Sequence, residues 1–212
     1  MKLYWGPHTC AIGTHILLEE IGRPYESEKI DVAGGATKEA WFQAINPKGK
    51  VPALVLDDQR VLTEFAAVGT WLARTNPVAG LLPTEPDEEY RAQSITDFAV
   101  GTVHGQGFGR IFMPGRFEPQ DPVHQGLGLG QRSVKHQGEA VVIEAFKILD
   151  EEMAGREWAA GGRFGVADAA LFYVMRWAPQ VGIALPPNLA THLCRMKERQ
   201  AVRRVMTVWG ED

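Results

Sequence analysis

Cysteine is scarce in this chain. Cys10 and Cys194 stand far apart in 212 residues, with no partner spacing between them. That excludes a disulfide framework and fits a reducing, cytoplasmic setting. Long apolar runs are also missing. Nothing approaches the roughly 18 residues of a membrane span, and the opening MKLYWGPHTC lacks the apolar stretch of a signal peptide. Basic charge is not in excess: 22 Lys and Arg against 26 Asp and Glu leave a formal charge of −4. Nucleic acid selects a basic surface, so it is not an expected partner. The basic stretch Arg195, Lys197, Arg199, Arg203 and Arg204 reads as a solvated helix face. Gly126, Gly128 and Gly130 follow no strand, so they form no phosphate-binding loop. His124 and His136 are too isolated for a metal site, and no metal is expected. What remains is 45% apolar and 23% charged, ordinary for a globular chain long enough to bury a core without staples.

The pattern changes near residue 76. Lys2 to Trp5 reads as a strand closed by Gly6-Pro7. Ile12, Ile16, Leu17, Leu18 and Ile21 recur at helical spacing from about Cys10, and Gly22 stops them. Tyr25 to Ile30 alternates like a strand, and a short helix is expected over Lys38 to Ala44. Val51 to Leu56 and Arg60 to Leu62 form a hairpin about Asp57-Asp58, and helix resumes from Glu64 to Ala73. A helical crossover makes the first two strands parallel. The proline-bearing stretch 77–86 reads as a linker between residues 1–76 and 87–212. Beyond it, helix is expected from Asp87 to about Gly107, with Tyr90, Ile95, Phe98 and Val103 buried. Met113 to Gln131 is rich in proline and glycine and reads as a long loop or a loosely helical insert. Helices follow over Glu139–Met153, Val166–Trp177, Leu189–Arg199 and Ala201–Val208.

Three segments, in this order, carry a resemblance: Lys2-Leu3-Tyr4-Trp5-Gly6-Pro7-His8-Thr9-Cys10, Asn46-Pro47-Lys48-Gly49-Lys50-Val51-Pro52-Ala53-Leu54, and Phe164-Gly165-Val166-Ala167-Asp168-Ala169 with Arg176-Trp177-Ala178. With Leu62-Thr63-Glu64 they resemble the glutathione transferase family over nearly the whole chain. Cys10 together with His104 is most similar to the bacterial beta-type branch. The resemblance implies an α/β thioredoxin-like N-terminal domain, an all-α C-terminal domain and a homodimer. Glutathione is implied as co-substrate and a small hydrophobic electrophile as its partner.

Each candidate residue has an ordinary physical reading beside the one the resemblance implies. Cys10 lies at a helix start, where free N–H groups favour a thiolate and lower its pKa; elsewhere a free cysteine is a small hydrophobe. By resemblance it contacts the glutathione sulfur or forms a mixed disulfide with it. Pro7 stands in place of a second cysteine, so a dithiol cycle is not expected. Thr9 is a fallback donor to the glutathione thiolate or an ordinary helix N-cap. Val51-Pro52 matches the family's cis-proline position, where the Val51 backbone pairs with the cysteinyl unit by strand addition. Glu64 and the Phe65 N–H hold the γ-glutamyl end by resemblance, and an acid also suits a helix start without any ligand.

His104 matches the histidine that faces the thiol across the cleft; a satisfied surface or core histidine is the alternative. Asp97, seven residues earlier, would share its helical face; by resemblance it would reach the partner subunit's ligand, and otherwise it stands as a solvated carboxylate. Asp168 keeps the reverse half of a capping box, with Gly165 in place of the hydroxyl residue, and is read as a folding feature. Three departures stand out: Phe65 where serine is common, Gly34-Gly35 where a lysine often binds the glycyl carboxylate, and Ala11 where a serine assists. Lys38 or Lys48 would replace the missing lysine. Two rival functions stay open: a non-catalytic binding protein on the same fold, and a glutathione-dependent lyase, dehalogenase or isomerase.

Overall fold

A computed structural model describes residues 1–118 and 130–211. Its sheet has the order β2-β1-β3-β4, from β1 (Lys2–Trp5), β2 (Glu26–Lys29), β3 (Ala53–Val55) and β4 (Val61–Thr63). β1 runs parallel to β2 and antiparallel to β3, and β3 and β4 form the hairpin. α1 (Ala11–Ile21) makes the crossover and ends at Gly22, whose φ of 70° closes the last turn in the left-handed region. α2 (Ala40–Ile45) follows a 3-10 turn at Ala36–Lys38, and α3 (Phe65–Thr75) leaves the hairpin.

Strand alternation divides the sheet's two faces. Leu3, Trp5 and Leu54 join α1 and α3 in the large core, whereas Tyr4 and Ala53 pack on Phe42 of α2 in a smaller cluster. The large core continues without a break into the helical part. That part holds α4 (Pro86–Asp97), α5 (Gly109–Phe112), α6 (Gln131–Glu152), α7 (Val166–Met175), α8 (Pro187–Glu198) and α9 (Gln200–Trp209). α7 is buried along its whole length and packs on α1, α3, α4 and α8.

Three expectations need correction. The helix foreseen over Asp87–Gly107 is α-helical only to Asp97; Phe98–Phe108 is π-helical. A Cβ at Gly107 would sit 2.5 Å from the Val142 side chain, and one at Gly138 would sit 2.7 Å from the Gly107 carbonyl. Two backbones therefore meet where side chains would hold them apart. α6 begins at Gln131 rather than Glu139, and Gly138 within it makes this close approach. Tyr90 is 73% exposed, because the buried stripe of its helix runs through Ala92, Ile95 and Ala99 instead. The loop or loosely helical insert expected over Met113–Gln131 does contain a 3-10 turn at Pro114–Arg116, and its residues 119–129, with His124, Gly126 and Gly128, lie outside the described residues. No described helix is long and apolar enough to cross a membrane.

Candidate active site

The site begins where β1 hands over to α1. Gly6 turns so tightly that a Cβ there would meet Val32 at 2.4 Å. His8 adopts a φ of 58°, in the left-handed region that side chains seldom take. Thr9 donates its hydroxyl to the Gly6 carbonyl at 2.7 Å. It therefore closes the turn and does not cap α1. Cys10 occupies the cap position itself, and no side chain satisfies the first N–H groups of the helix.

The Cys10 thiol donates to the Val51 carbonyl at 3.7 Å. The Val51-Pro52 bond is cis, as the family resemblance implies. Among the described residues the Val51 N–H has no hydrogen-bond partner, so one backbone edge stays open beside the thiol. Contrary to the expected acidification, withdrawal from water pushes the Cys10 thiol up to about 12. Backbone hydrogen bonding and the Arg176 charge oppose this rise, Glu64 adds to it, and Lys50 opposes it again. The thiol is thus protonated at neutral pH.

Glu64 precedes α3 with a φ of 70°. Its carboxylate accepts from Lys48 Nζ at 3.0 Å, and the same ammonium reaches Thr63 Oγ1 at 2.9 Å. Lys48 is therefore paired with Glu64 and Thr63. Lys38 is exposed and makes no ion pair among the described residues. Phe65 is buried and meets Tyr173 edge-on, with ring centroids 5.2 Å apart. A Cβ at Gly13 would lie 2.5 Å from its ring, so Phe65 fills the space that the glycine leaves.

His104, in the π-helical stretch, is half-buried against Tyr173 and Trp177. Its Nδ1 lies 3.4 Å from the Tyr173 hydroxyl. Burial holds the imidazole down at about 4, and the Lys50 ammonium works in the same direction. The ring is neutral at pH 7. Asp97 is exposed at the end of α4. Seven residues align side chains on an α-helix, but the wider π turns break that alignment, and Asp97 and His104 make no contact.

Sequence reasoning missed four residues here. Tyr173 links His104 to the thiol's surroundings. Trp177 Nε1 donates to the His8 carbonyl at 3.0 Å, and Arg176 Nη2 to the Thr9 carbonyl at 2.7 Å. Lys50 places its charge near both Cys10 and His104. Arg176-Trp177 was visible as a motif, yet nothing local tied it to a loop 167 residues away. Among the described residues no group of three or more His, Cys, Asp or Glu side chains is arranged to hold a metal.

A small mixed sheet bearing a thiol at a helix start, beside an open backbone edge and under a helical roof, defines a thioredoxin-like transferase architecture. Residues 9–75 match the glutathione S-transferase N-terminal domain and residues 130–200 the C-terminal domain. The chain belongs to the glutathione S-transferase family. It is 31% identical to glutathione S-transferase GstA of Escherichia coli O157:H7, over 99% of both chains. Among solved structures, a bacterial beta class glutathione S-transferase of Sphingomonas chungbukensis is 31% identical over the full length of both chains, with a TM-score of 0.83. A glutathione transferase homologue from Sulfitobacter, solved with bound glutathione, has a TM-score of 0.88 at 27% identity, covering 98% of this chain and 97% of that one.

Proposed function

We propose that the protein is a glutathione-dependent transferase that joins the glutathione sulfur to a small hydrophobic electrophile. In this reading residues 1–76 bind glutathione, 77–86 connect, and 87–212 supply the apolar side of the pocket, in a homodimer. The observation that carries it is the Cys10 thiol on the Val51 carbonyl, beside an unpaired Val51 N–H. An extended peptide can pair with that edge and lay its own sulfur against Cys10. The unpartnered N–H groups at the start of α3, with Glu64 and Phe65, receive the γ-glutamyl end. Lys50 is placed to meet a carboxylate, and it is a better candidate than Lys38 or the already paired Lys48. Asp97, exposed on α4, is left to meet the partner subunit's ligand.

The high thiol pKa favours one chemical role for Cys10. A protonated S–H donates a hydrogen bond to the glutathione thiolate and stabilises it. The thiolate sulfur then bonds to the electrophilic carbon, and the leaving group departs with its bonding pair. His104, neutral and paired with Tyr173, orients polar groups at the cleft and does not act as a cation. Thiol–disulfide exchange through Cys10 needs a thiolate, so it is the minor route at neutral pH.

Calorimetric titration of glutathione into wild type and Cys10→Ala, followed by an aryl halide assay, tests this. Micromolar-to-millimolar binding in the wild type and turnover that falls about 10-fold in the variant are expected, a loss of one charge-assisted hydrogen bond. No binding at millimolar glutathione would remove the reading and leave a fold reused for recognition.

A further inference from the structure

Beyond α9 the chain turns at Gly210, whose φ is 65°, and Glu211 N donates to the Met206 carbonyl at 3.1 Å. This brings the Glu211 carboxylate to the loop that carries Cys10. One carboxylate oxygen accepts from Arg176 Nη1. The other accepts from the His8 N–H at 3.3 Å and lies 3.6 Å from His8 Nδ1. Arg176 spends its second terminal nitrogen on the Thr9 carbonyl, one residue before the thiol. The two charged side chains are only 6% and 15% exposed, so water screens them weakly. Arg176 Nε is buried without a partner. The guanidinium's hydrogen bonds therefore go to the carboxylate and the loop, while its carbon lies 5.8 Å and 5.6 Å from the Trp177 and Trp209 ring centroids.

We propose that Glu211 is a positioning residue for the thiol: through Arg176 and the His8 backbone it fixes the Cys10 loop, and its charge offsets the cation beside the sulfur. The other groups facing Cys10 are Tyr173 from α7, Lys50 before β3 and Glu64 before α3, with His104 reached through Tyr173. Of these cations, Arg176 is the one with a buried carboxylate of its own. Removing that carboxylate's charge leaves Arg176 acting unopposed on the sulfur. The thiolate is then favoured, in keeping with the downward pull Arg176 already exerts on the thiol.

The test is alkylation by iodoacetamide in a Cys194→Ser background, since Cys194 is exposed. Rates are read from pH 6 to 9 for wild type, Glu211→Gln and Glu211→Asp, each checked by circular dichroism. A one-unit drop in pKa raises the thiolate fraction about tenfold and lowers its nucleophilicity about threefold. Glu211→Gln is therefore expected to react about threefold faster at each pH, with Glu211→Asp, which keeps the charge, close to wild type. Rates for Glu211→Gln that match or fall below wild type overturn the proposal, as does equal acceleration in both variants. The inference rests on Cys10 being the functional thiol, yet alkylation needs no glutathione. Failure of wild type to bind glutathione would end the reading above and leave this measurement valid.

Discussion

Two loop-to-helix junctions in this molecule are built oppositely. At the start of α7, Asp168 accepts from Gly165 N and from Ala159 N, both at 2.8 Å, and is fully enclosed. The Val166 N–H is taken as well, by the Leu81 carbonyl at 3.0 Å. At the start of α1 no side chain caps the helix, Cys10 sits at the cap position, and the neighbouring Val51 N–H is also open. A helix start closed by its own acid serves folding; one left open can receive a ligand. The loop before α1 is instead held from behind, by Arg176 and Trp177 on its carbonyls.

The sharpest way to break this contrast is Asp168→Ala. Two buried N–H groups lose their acceptor, at about 1–3 kcal/mol each, so unfolding free energy is expected to fall by about 3 kcal/mol, with Tm lower by roughly 10 °C. Turnover per folded molecule should not change, which thermal melts and an aryl halide assay on the same samples would show. A stable variant would mean that the closed junction is not where the fold invests.

The next effect concerns pH. Asp168 Oδ1 lies 3.3 Å from His192 Nε2, and both are enclosed. Burial pushes the Asp168 carboxyl up to about 7 and holds His192 down at about 4. A carboxyl raised above its unfolded value of 3.8 contributes stability below that pH and loses it as pH climbs to 7. A histidine lowered from 6.5 does the reverse, gaining stability between pH 4 and 6.5. The two slopes oppose each other. Relative to wild type, Asp168→Asn should gain stability with rising pH across that window and His192→Gln should lose it. Urea unfolding at a series of pH values reads both, and slopes of one sign would dissolve the pairing. The smallest effect belongs to the open junction: Thr9→Val loses one hydrogen bond to Gly6, at about 1 kcal/mol, measurable by the same urea titration.

Much of the fold was legible because its signals are local. The first strand, the α1 stripe ending at Gly22 and the Val51–Leu62 hairpin each carry period and punctuation within a dozen residues. Asp168 was legible as half a capping box; its second bond, from Ala159, was not, because it comes from outside the helix. The close approach of Gly107 and Gly138 was hidden because it joins residues 31 apart in sequence. At the site, Cys10, Val51 and Glu64 were legible through their motifs. The thiol's raised pKa was not, since helix-start reasoning omits the enclosure that α7 imposes. The Arg176–Glu211 pair spans 35 residues and announces itself only in space.

Phe65 and Gly13 have a consequence for how such a sequence can change. The ring lies where a side chain on residue 13 would go. Serine at 65 alone would exchange a buried ring for a hole. Enlarging residue 13 alone would drive a methyl group into the ring. The Ala169 carbonyl, 3.0 Å from a Cβ at residue 13, limits any refilling to alanine and crowds even that. The two positions therefore constrain each other: the volume at residue 65 and the absence of a side chain at residue 13 are one packing choice.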